Sequence, residues 1–224
     1  MIWNEALEQY VSDHQDEVVE LIRALVAIPA FSNHEQARAE YCAKWFRECG
    51  AEEVKMDAAS NVIVTLGDVQ SGKAVAFMAH LDTVFPDETG FELIEEDGWL
   101  KAPGVGDDTA NVALLMVIAR YLIEQHCQPK QGVLIVLNAG EEGLGNLKGC
   151  RQLMQDYAGK LSEVYSFDGS YKGYANKAVG SVRYRVEVKT EKIDHGGLED
   201  LGDSGIERHG PICPGCVVVV MRGD

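Results

Sequence analysis

The sequence has no apolar run long enough to cross a membrane, since stretches such as residues 112–119 are far shorter than a membrane-spanning helix. Residues 1–5 lack the basic segment and small-residue cleavage site of a secretory signal. The six cysteines show no disulfide-framework spacing before the last pair, Cys213 and Cys216, and no second pair completes a zinc ribbon. These absences predict a soluble cytoplasmic protein with reduced thiols and no membrane partner.

Positive charge is scarce as well. The 20 lysines and arginines stand against 36 aspartates and glutamates, which gives a formal net charge of −16. This balance disfavours nucleic acid or an anionic membrane as a partner. Most of the carboxylates are expected on a solvated surface, but some lie in motifs where a cation would neutralise them.

Apolar periodicity and turn residues predict a chain in which helices alternate with buried strands. The predicted helices cover residues 4–28, 35–49, 109–125 and 145–157, and the predicted strands cover 61–67, 74–79, 133–137, 163–167, 174–178 and 182–188. A hairpin is predicted over residues 91–100, with Asp97-Gly98 as its turn. The fold class is therefore α/β, a mixed β-sheet layered by helices, whose functional residues should gather at the carboxyl ends of strands.

The regular pattern stops after Thr190. The following residues are rich in Gly, Pro, Asp and His, and the valine run at residues 217–220 has no partner that the sequence identifies. We therefore expect a metal-binding catalytic domain over residues 1–190 and an atypical tail over residues 191–224.

Two candidate ligand motifs lie in the first half of the chain. His80-Leu-Asp82 follows a buried strand, and alternation would allow the Asp82 carboxylate to orient the His80 imidazole as a metal ligand. Asp107 lies in a Gly-rich loop, where a carboxylate could bridge two metal ions. The neighbouring Asp108 has a simpler interpretation as a helix N-cap.

Two further motifs follow later strands. Glu141-Glu142 lies in a Gly-flanked turn, and one glutamate could bind a metal while the other takes a proton from water; the alternative is an exposed acidic turn. Asp168-Gly169 ends another strand and could equally form an ordinary turn. Taken together, all four motifs lie at predicted strand ends, and a histidine with carboxylates suits Zn²⁺, with Co²⁺ or Mn²⁺ able to substitute.

On these motifs the sequence resembles the co-catalytic zinc metallopeptidases that include peptidase T, carboxypeptidase G, aminoacylase and succinyl-diaminopimelate desuccinylase. The resemblance covers roughly residues 5–190 and is densest at residues 80–84, 106–108 and 141–145. It implies a zinc-exopeptidase-like fold and a site that holds two zinc ions. It also implies a cis peptide bond between Asp107 and Asp108.

The resemblance further implies a role for each site residue. His80 and Asp168 would bind the first metal, Asp107 would bridge both metals, and Glu142 would bind the second. Asp82 would orient His80, and Glu141 would be the general base and acid. A water activated by both zinc ions would then attack a peptide or amide bond.

The chain also departs from this family. A lid or dimerisation domain, expected after residues 182–188, and a final histidine ligand are not recognisable, which favours a frame change or truncation near residue 190; His195 and His209 are the remaining downstream histidines. The preferred activity is aminopeptidase or tripeptidase action on a short peptide. Deacylation of an N-acyl amino acid, a metal-binding but inactive fragment, and a non-hydrolytic binding module stay open, as does a homodimer.

Overall fold

The computed structural model describes residues 5–86, 89–169, 173–177, 185–188 and 218–221, the last two as backbone only. The chain divides into two compact units, Met1–Tyr171 and Lys172–Asp224. Of the described helices, none is long and apolar enough to cross a membrane.

The elements alternate along the chain much as the periodicity predicts. The helices are α1 (Glu5–Asp13), α2 (Gln15–Val26), α3 (Gln36–Glu48), α4 (Ala110–Glu124) and α5 (Lys148–Asp156). The strands are β1 (Val54–Met56), β2 (Val62–Leu66), β3 (Ala74–His80), β4 (Ile94–Glu96), β5 (Trp99–Lys101), β6 (Val133–Asn138), β7 (Leu161–Ser166), β8 (Arg185–Val188) and β9 (Val218–Met221).

Five strands of the first unit form one mixed sheet in the order β1-β2-β6-β3-β7. The pairs β1–β2 and β2–β6 are antiparallel, whereas β3 pairs in parallel with both β6 and β7. His80 lies opposite Asn138, and Met78 lies opposite Ser166. The three parallel strands therefore end at the same edge of the sheet.

Helices cover both faces of this sheet. On one face α2, α3 and α4 contribute Leu25, Phe46 and Met116, which are fully buried in one apolar cluster with β2 and β6. On the other face α5 contributes Leu153, which packs with Ile63 and other strand residues. Alternate strand residues thus supply two cores, as expected of a sheet covered on both sides. The predicted α/β fold class is confirmed.

Three local predictions are wrong. The helix predicted over residues 4–28 is interrupted at His14, whose φ of −112° and ψ of 18° leave the helical region, and it ends at Val26. Residues 173–177 form no strand, and Tyr174 is 93% exposed, so the predicted strand over 174–178 has no buried face to stabilise it. Strand β1, which is only three residues long, was not predicted.

The hairpin is confirmed, because β4 and β5 pair antiparallel and Asp97 and Gly98 both have positive φ, the conformation of a tight two-residue turn. The valine run also has a partner, since β9 pairs in parallel with β8. Residues 189–217, including His195, His209 and the Cys213–Cys216 pair, lie outside the described residues. The domain boundary at residue 190 therefore stays a prediction.

Gly149 allows α5 to approach the end of β6 closely. Its amide donates to the carbonyl of Ala139 at 2.9 Å, and a Cβ at this position would lie 2.2 Å from Asn61 Oδ1 and 2.5 Å from the Ala139 carbonyl oxygen. Asn61 Oδ1 in turn accepts the Ala139 amide at 3.0 Å. Helix α5, β6 and Asn61 are thus held at backbone contact directly before the turn that carries Glu141 and Glu142.

We expect Gly149→Ala to lower the free energy of unfolding by about 1–3 kcal/mol, because the added methyl group overpacks this contact. Helix propensity alone would have the opposite sign, since alanine is favoured over glycine within a helix. Urea denaturation gives the measurement. Gly173→Ala is the control, because nothing lies within 4 Å of its Cβ position; equal stability of the two variants would contradict the packing argument.

Candidate metal centre

Parallel strands bring three of the four predicted motifs to one edge of the sheet. His80 is the last residue of β3, Glu141 and Glu142 follow β6, and Asp168 follows β7. Asp107 does not lie at a strand end, contrary to the prediction. It lies in a wide turn, Val105–Thr109, that leads into α4.

The His80 imidazole lies at the buried end of the site. Its Nε2 lies 2.9 Å from Asp107 Oδ1, and its Nδ1 lies 3.0 Å from the backbone carbonyl oxygen of Asp82. The Asp82 carboxylate is slightly farther from Nδ1, at 3.6 Å. Asp82 therefore contacts the imidazole on the side away from Asp107, through its carbonyl more closely than through its carboxylate.

The fully buried Asp82 carboxylate holds the neighbouring acidic turn. It accepts the backbone amides of Glu141 and Glu142, both at 2.9 Å, and the hydroxyl of Ser32 at 2.6 Å. Hydrogen bonds to a carboxylate are stronger than neutral ones. Burial alone would raise the pKa of Asp82, but hydrogen bonds from His80, Ser32 and the two amides lower it below its usual value. Asp82 thus joins the β3 end to the β6 end.

The peptide bond between Asp107 and Asp108 is cis, as the resemblance implies. Asp108 is buried, and its carboxylate accepts the backbone amide of His80 at 2.9 Å and the side-chain amide of Asn111. Thr109, rather than Asp108, occupies the N-cap position of α4, with no side-chain cap hydrogen bond. The interpretation of Asp108 as a helix cap is therefore wrong, because this side chain supports the His80 backbone instead.

The four predicted ligands, together with the predicted base Glu141, form two groups that could each hold a metal ion. One consists of His80, Glu141 and Asp168, and the other of His80, Asp107 and Glu142. Within each group one donor atom per residue lies within 4.8 Å of the others. His80 is buried, the two glutamates are half-buried, and the two aspartates are exposed, so the site opens toward solvent on the aspartate side.

Negative charge accumulates around the single imidazole. Burial, together with neighbouring carboxylates, raises the pKa values of Glu141, Glu142 and Asp168. Burial by itself would lower the pKa of His80, but the carboxylates of Asp82, Asp108 and Glu141 outweigh it and raise that pKa to about 10. The carboxylates therefore outnumber the one imidazole, and a bound cation would offset the excess negative charge.

A divalent metal ion fits this group of carboxylates better than a lysine or arginine side chain does. Within the part of the chain that the structure describes, no lysine or arginine forms an ion pair with Asp107, Glu141, Glu142 or Asp168. A metal ion at His80 Nε2 would replace a proton there and relieve the repulsion between the carboxylates. An imidazole with several carboxylates is also a donor set typical of zinc.

Four supporting residues escaped the sequence analysis. Ser32 contacts Asp82, and Arg38 donates to the carbonyl of Leu81 at 2.9 Å; burial lowers the pKa of Arg38 to about 10. Glu35 pairs with Lys148 at 2.8 Å. In the sequence, the polar residues 32–35 between two predicted helices are the one feature that could have indicated such a role. Their spacing relative to the acidic motifs, however, does not connect them with the site.

Comparison with known proteins adds the family. The model of peptidase family M28 matches residues 61–183, which is more than half of the chain and includes all six predicted site residues. The chain belongs to this family. The [LysW]-lysine hydrolase of Deinococcus radiodurans is 29% identical over 168 residues, which cover 73% of this chain and 44% of that protein. The chain spans about half the length of the curated relatives it matches.

Solved structures show the same fold. The aminopeptidase PepT of Bacillus cereus matches with a TM-score of 0.55 and 24% identity, over 75% of this chain and 45% of PepT. The YXEP protein of Bacillus subtilis, described as a dinuclear metal-binding peptidase of the M20 family, matches with a TM-score of 0.50 and 17% identity, over 72% of this chain and 45% of YXEP. The resemblance to peptidase T and its relatives is confirmed.

We expect Asp82→Asn to lower the free energy of unfolding of the metal-free protein by about 1–3 kcal/mol, because the amide nitrogen of asparagine would face one of three hydrogen-bond donors and leave it unpaired. Denaturation in urea with a chelator present gives the measurement. Asp156→Asn is the control: Asp156 makes a surface ion pair with Lys55 at 3.1 Å, so its loss should change stability far less than the loss of the Asp82 carboxylate. A similar effect of both substitutions would show that Asp82 does not support the site.

Proposed function

We propose that this chain carries the catalytic centre of a metal-dependent aminopeptidase that acts on short peptides. The observation that supports it best is the meeting of His80 with four carboxylates, those of Asp107, Glu141, Glu142 and Asp168, at one sheet edge. Membership of a peptidase family supports the reaction class. The names of PepT and of the lysine hydrolase support hydrolysis of peptide or related bonds.

The proposed ligand assignment gives each side chain one task. His80, Asp107 and Asp168 would hold the first zinc ion, while Asp107 and Glu142 would hold the second. Bound zinc would activate a water molecule and polarise the scissile carbonyl. Asp82 fixes the His80 imidazole on its Nδ1 side and keeps the Glu141–Glu142 turn beside it through two amide hydrogen bonds.

Glu141 is the proposed general base and acid. Its carboxylate takes a proton from the attacking water and then delivers that proton to the leaving amide nitrogen. Burial raises its pKa, which makes the carboxylate a better proton acceptor near neutral pH. Its backbone amide is fixed by Asp82, so the side chain starts from a defined position at the edge of the metal cluster.

The charge of the protein favours a substrate with a free amino terminus. A short peptide with neutral side chains is a zwitterion without net charge, whereas the corresponding N-acyl amino acid is an anion, and a chain with a net charge of −16 repels the anion more strongly. Asp107 and Asp168 lie on the exposed side of the site, where they would meet an incoming substrate first. N-acyl amino acid deacylation remains the second candidate, since the matching relative from Deinococcus radiodurans is named a hydrolase and not an aminopeptidase. The cytoplasmic location and a homodimer stay predictions.

We expect about two zinc ions per chain after dialysis against dilute zinc, as in other two-metal sites. Elemental analysis gives the measurement, and Asp107→Ala should lose most of this zinc because the proposed bridging ligand is gone. Asp68→Ala is the control, since Asp68 is an exposed carboxylate that follows β2, and β2 runs antiparallel to β6, so Asp68 lies toward the opposite edge of the sheet. Zinc loss of equal size in both variants would remove Asp107 from the centre.

The zinc-loaded chain should release the amino-terminal residue from di- and tripeptides faster than it deacylates N-acyl amino acids. Glu141→Gln should lower kcat by roughly 10²–10⁴-fold, the usual contribution of a general acid–base group, while zinc content stays unchanged. Full zinc loading without turnover of either substrate class would identify an inactive metal-binding chain. Unchanged kcat in the Glu141→Gln variant would exclude Glu141 as the base.

A further inference from the structure

Ser32 lies in the connection between α2 and α3, and this connection is fastened to the segment that follows β3. The Ser32 amide donates to the carbonyl of Thr83 at 3.2 Å, and the Thr83 amide donates to the carbonyl of Ala30 at 2.8 Å. Phe31 and Thr83 form a parallel bridge between the same segments. Ser32 is therefore held beside Asp82 by backbone contacts that do not depend on its own side chain.

The Ser32 hydroxyl reaches two oxygens that belong to different parts of the site. Its Oγ lies 2.6 Å from Asp82 Oδ2 and 2.9 Å from the backbone carbonyl oxygen of Glu142. Both oxygens are acceptors, and a hydroxyl has a single proton, so that proton is shared between them. Without the hydroxyl the Glu142 carbonyl would keep the Gly145 amide at 2.8 Å and Asp82 Oδ2 would keep the Glu142 amide at 2.9 Å, but the hydrogen bonds that join Ser32 to both oxygens would be lost.

These contacts complete a closed set of hydrogen bonds around Glu142. Its amide donates to Asp82 Oδ2 at 2.9 Å, and its carbonyl faces Ser32 Oγ. The amide is thus tied to Asp82, which follows β3, and the carbonyl to Ser32, which lies between α2 and α3. The position of the Glu142 side chain relative to His80 depends on this arrangement, since turns without such contacts have several accessible backbone conformations.

The same connection holds the far side of the acidic turn. Asn33 Nδ2 donates to the carbonyl of Leu144 at 3.4 Å. Glu35, which is almost fully buried, accepts the Asn33 amide at 2.8 Å and pairs with Lys148 at 2.8 Å. The Lys148 side chain covers Gly140, because a Cβ at that glycine would lie 2.6 Å from Lys148 Cγ. Contacts from residues 32–35 therefore bracket the turn from both ends.

We propose that Ser32 is a positioning residue that sets the distance between the Glu141–Glu142 turn and His80, and thereby the geometry of the metal centre. Ser32 belongs to neither candidate ligand group, and it is buried, so it acts through Asp82 and Glu142. This proposal rests on the proposed function in that it concerns the same metal centre. Residues that orient metal ligands commonly change metal affinity by 10–100-fold when they are replaced.

The first test needs neither metal nor activity. Hydrogen exchange of the metal-free protein, followed in a peptide that spans residues 139–147, should be at least about tenfold faster in Ser32→Ala than in the wild type. The reason is that Asp82, which accepts the Glu141 and Glu142 amides, loses the hydroxyl that holds its carboxylate in place. Ser162→Ala is the matched control, since its hydroxyl also lies between two carbonyl oxygens, at 3.1 Å from each, but at the start of β7. Exchange at the wild-type rate in Ser32→Ala would overturn the proposal.

The second test measures zinc affinity by competition with a chelator, and kcat and KM on the best peptide found. Ser32→Ala should bind zinc about 10–100-fold more weakly and lower kcat, while KM changes little and the thermal unfolding midpoint stays above the assay temperature. Ser32→Thr keeps a hydroxyl and should retain most of the wild-type zinc affinity and kcat. Ser32→Val has the shape of the threonine variant without the hydroxyl, and it should be as impaired as Ser32→Ala. The Thr and Val pair decides the matter if Ser32→Ala fails to fold.

The two proposals fail in different ways. A wild-type chain that binds no zinc would contradict the proposed function, and the exchange measurement alone would then decide the role of Ser32. A wild-type chain that binds zinc and hydrolyses peptides, with Ser32→Val equal to Ser32→Thr in affinity and kcat, would contradict the positioning role and leave the proposed function intact.

Discussion

Repulsion between carboxylates is the constraint on which the arrangement around His80 depends. Four acidic side chains lie within reach of one imidazole, and two more, Asp82 and Asp108, are buried beneath it. Isolated buried carboxylates are costly unless donors satisfy them. Asp82 and Asp108 are satisfied by backbone amides, Ser32 and Asn111, so they can support the site. The two half-buried glutamates and the two exposed aspartates are left for a cation.

Sheet topology explains why these groups meet at all. Because β3 lies between β6 and β7 and pairs in parallel with both, three carboxyl ends lie side by side, although the motifs are separated by tens of residues in sequence. Ligand sites in α/β folds gather at this edge for the same geometric reason. Asp107 arrives from another direction, in the turn before α4, and Asp108 joins that turn to the His80 amide.

Local signals in the sequence were sufficient for the elements and for the acidic motifs. Buried strands such as β3 and β6 are continuous apolar runs, and the residues that follow them are conspicuous because they are charged. The break at His14 and the three-residue β1 gave no clear periodic signal, and the role of Asp108 depends on the amide of His80, 28 residues away. Ser32 shows the same limit: its importance lies in a hydrogen bond to a carboxylate 50 residues away, and no periodicity or spacing encodes it.

The described residues offer few histidine nitrogens as metal ligands, and this limits how many metal ions they can bind without help from other residues. Both candidate ligand groups include His80, yet its Nδ1 contacts the Asp82 carbonyl, and Nε2 has a single lone pair for a metal. In the proposed centre His80 would therefore bind one ion, and the other ion would rely on carboxylates, with Asp107 as the proposed shared ligand. A carboxylate-only position is a weaker zinc site than one with imidazole, because nitrogen donors suit this metal better. The two positions should consequently differ in zinc affinity unless residues outside the described part of the chain supply a further nitrogen ligand. The order in which zinc fills and leaves the two positions therefore indicates whether such a ligand is present.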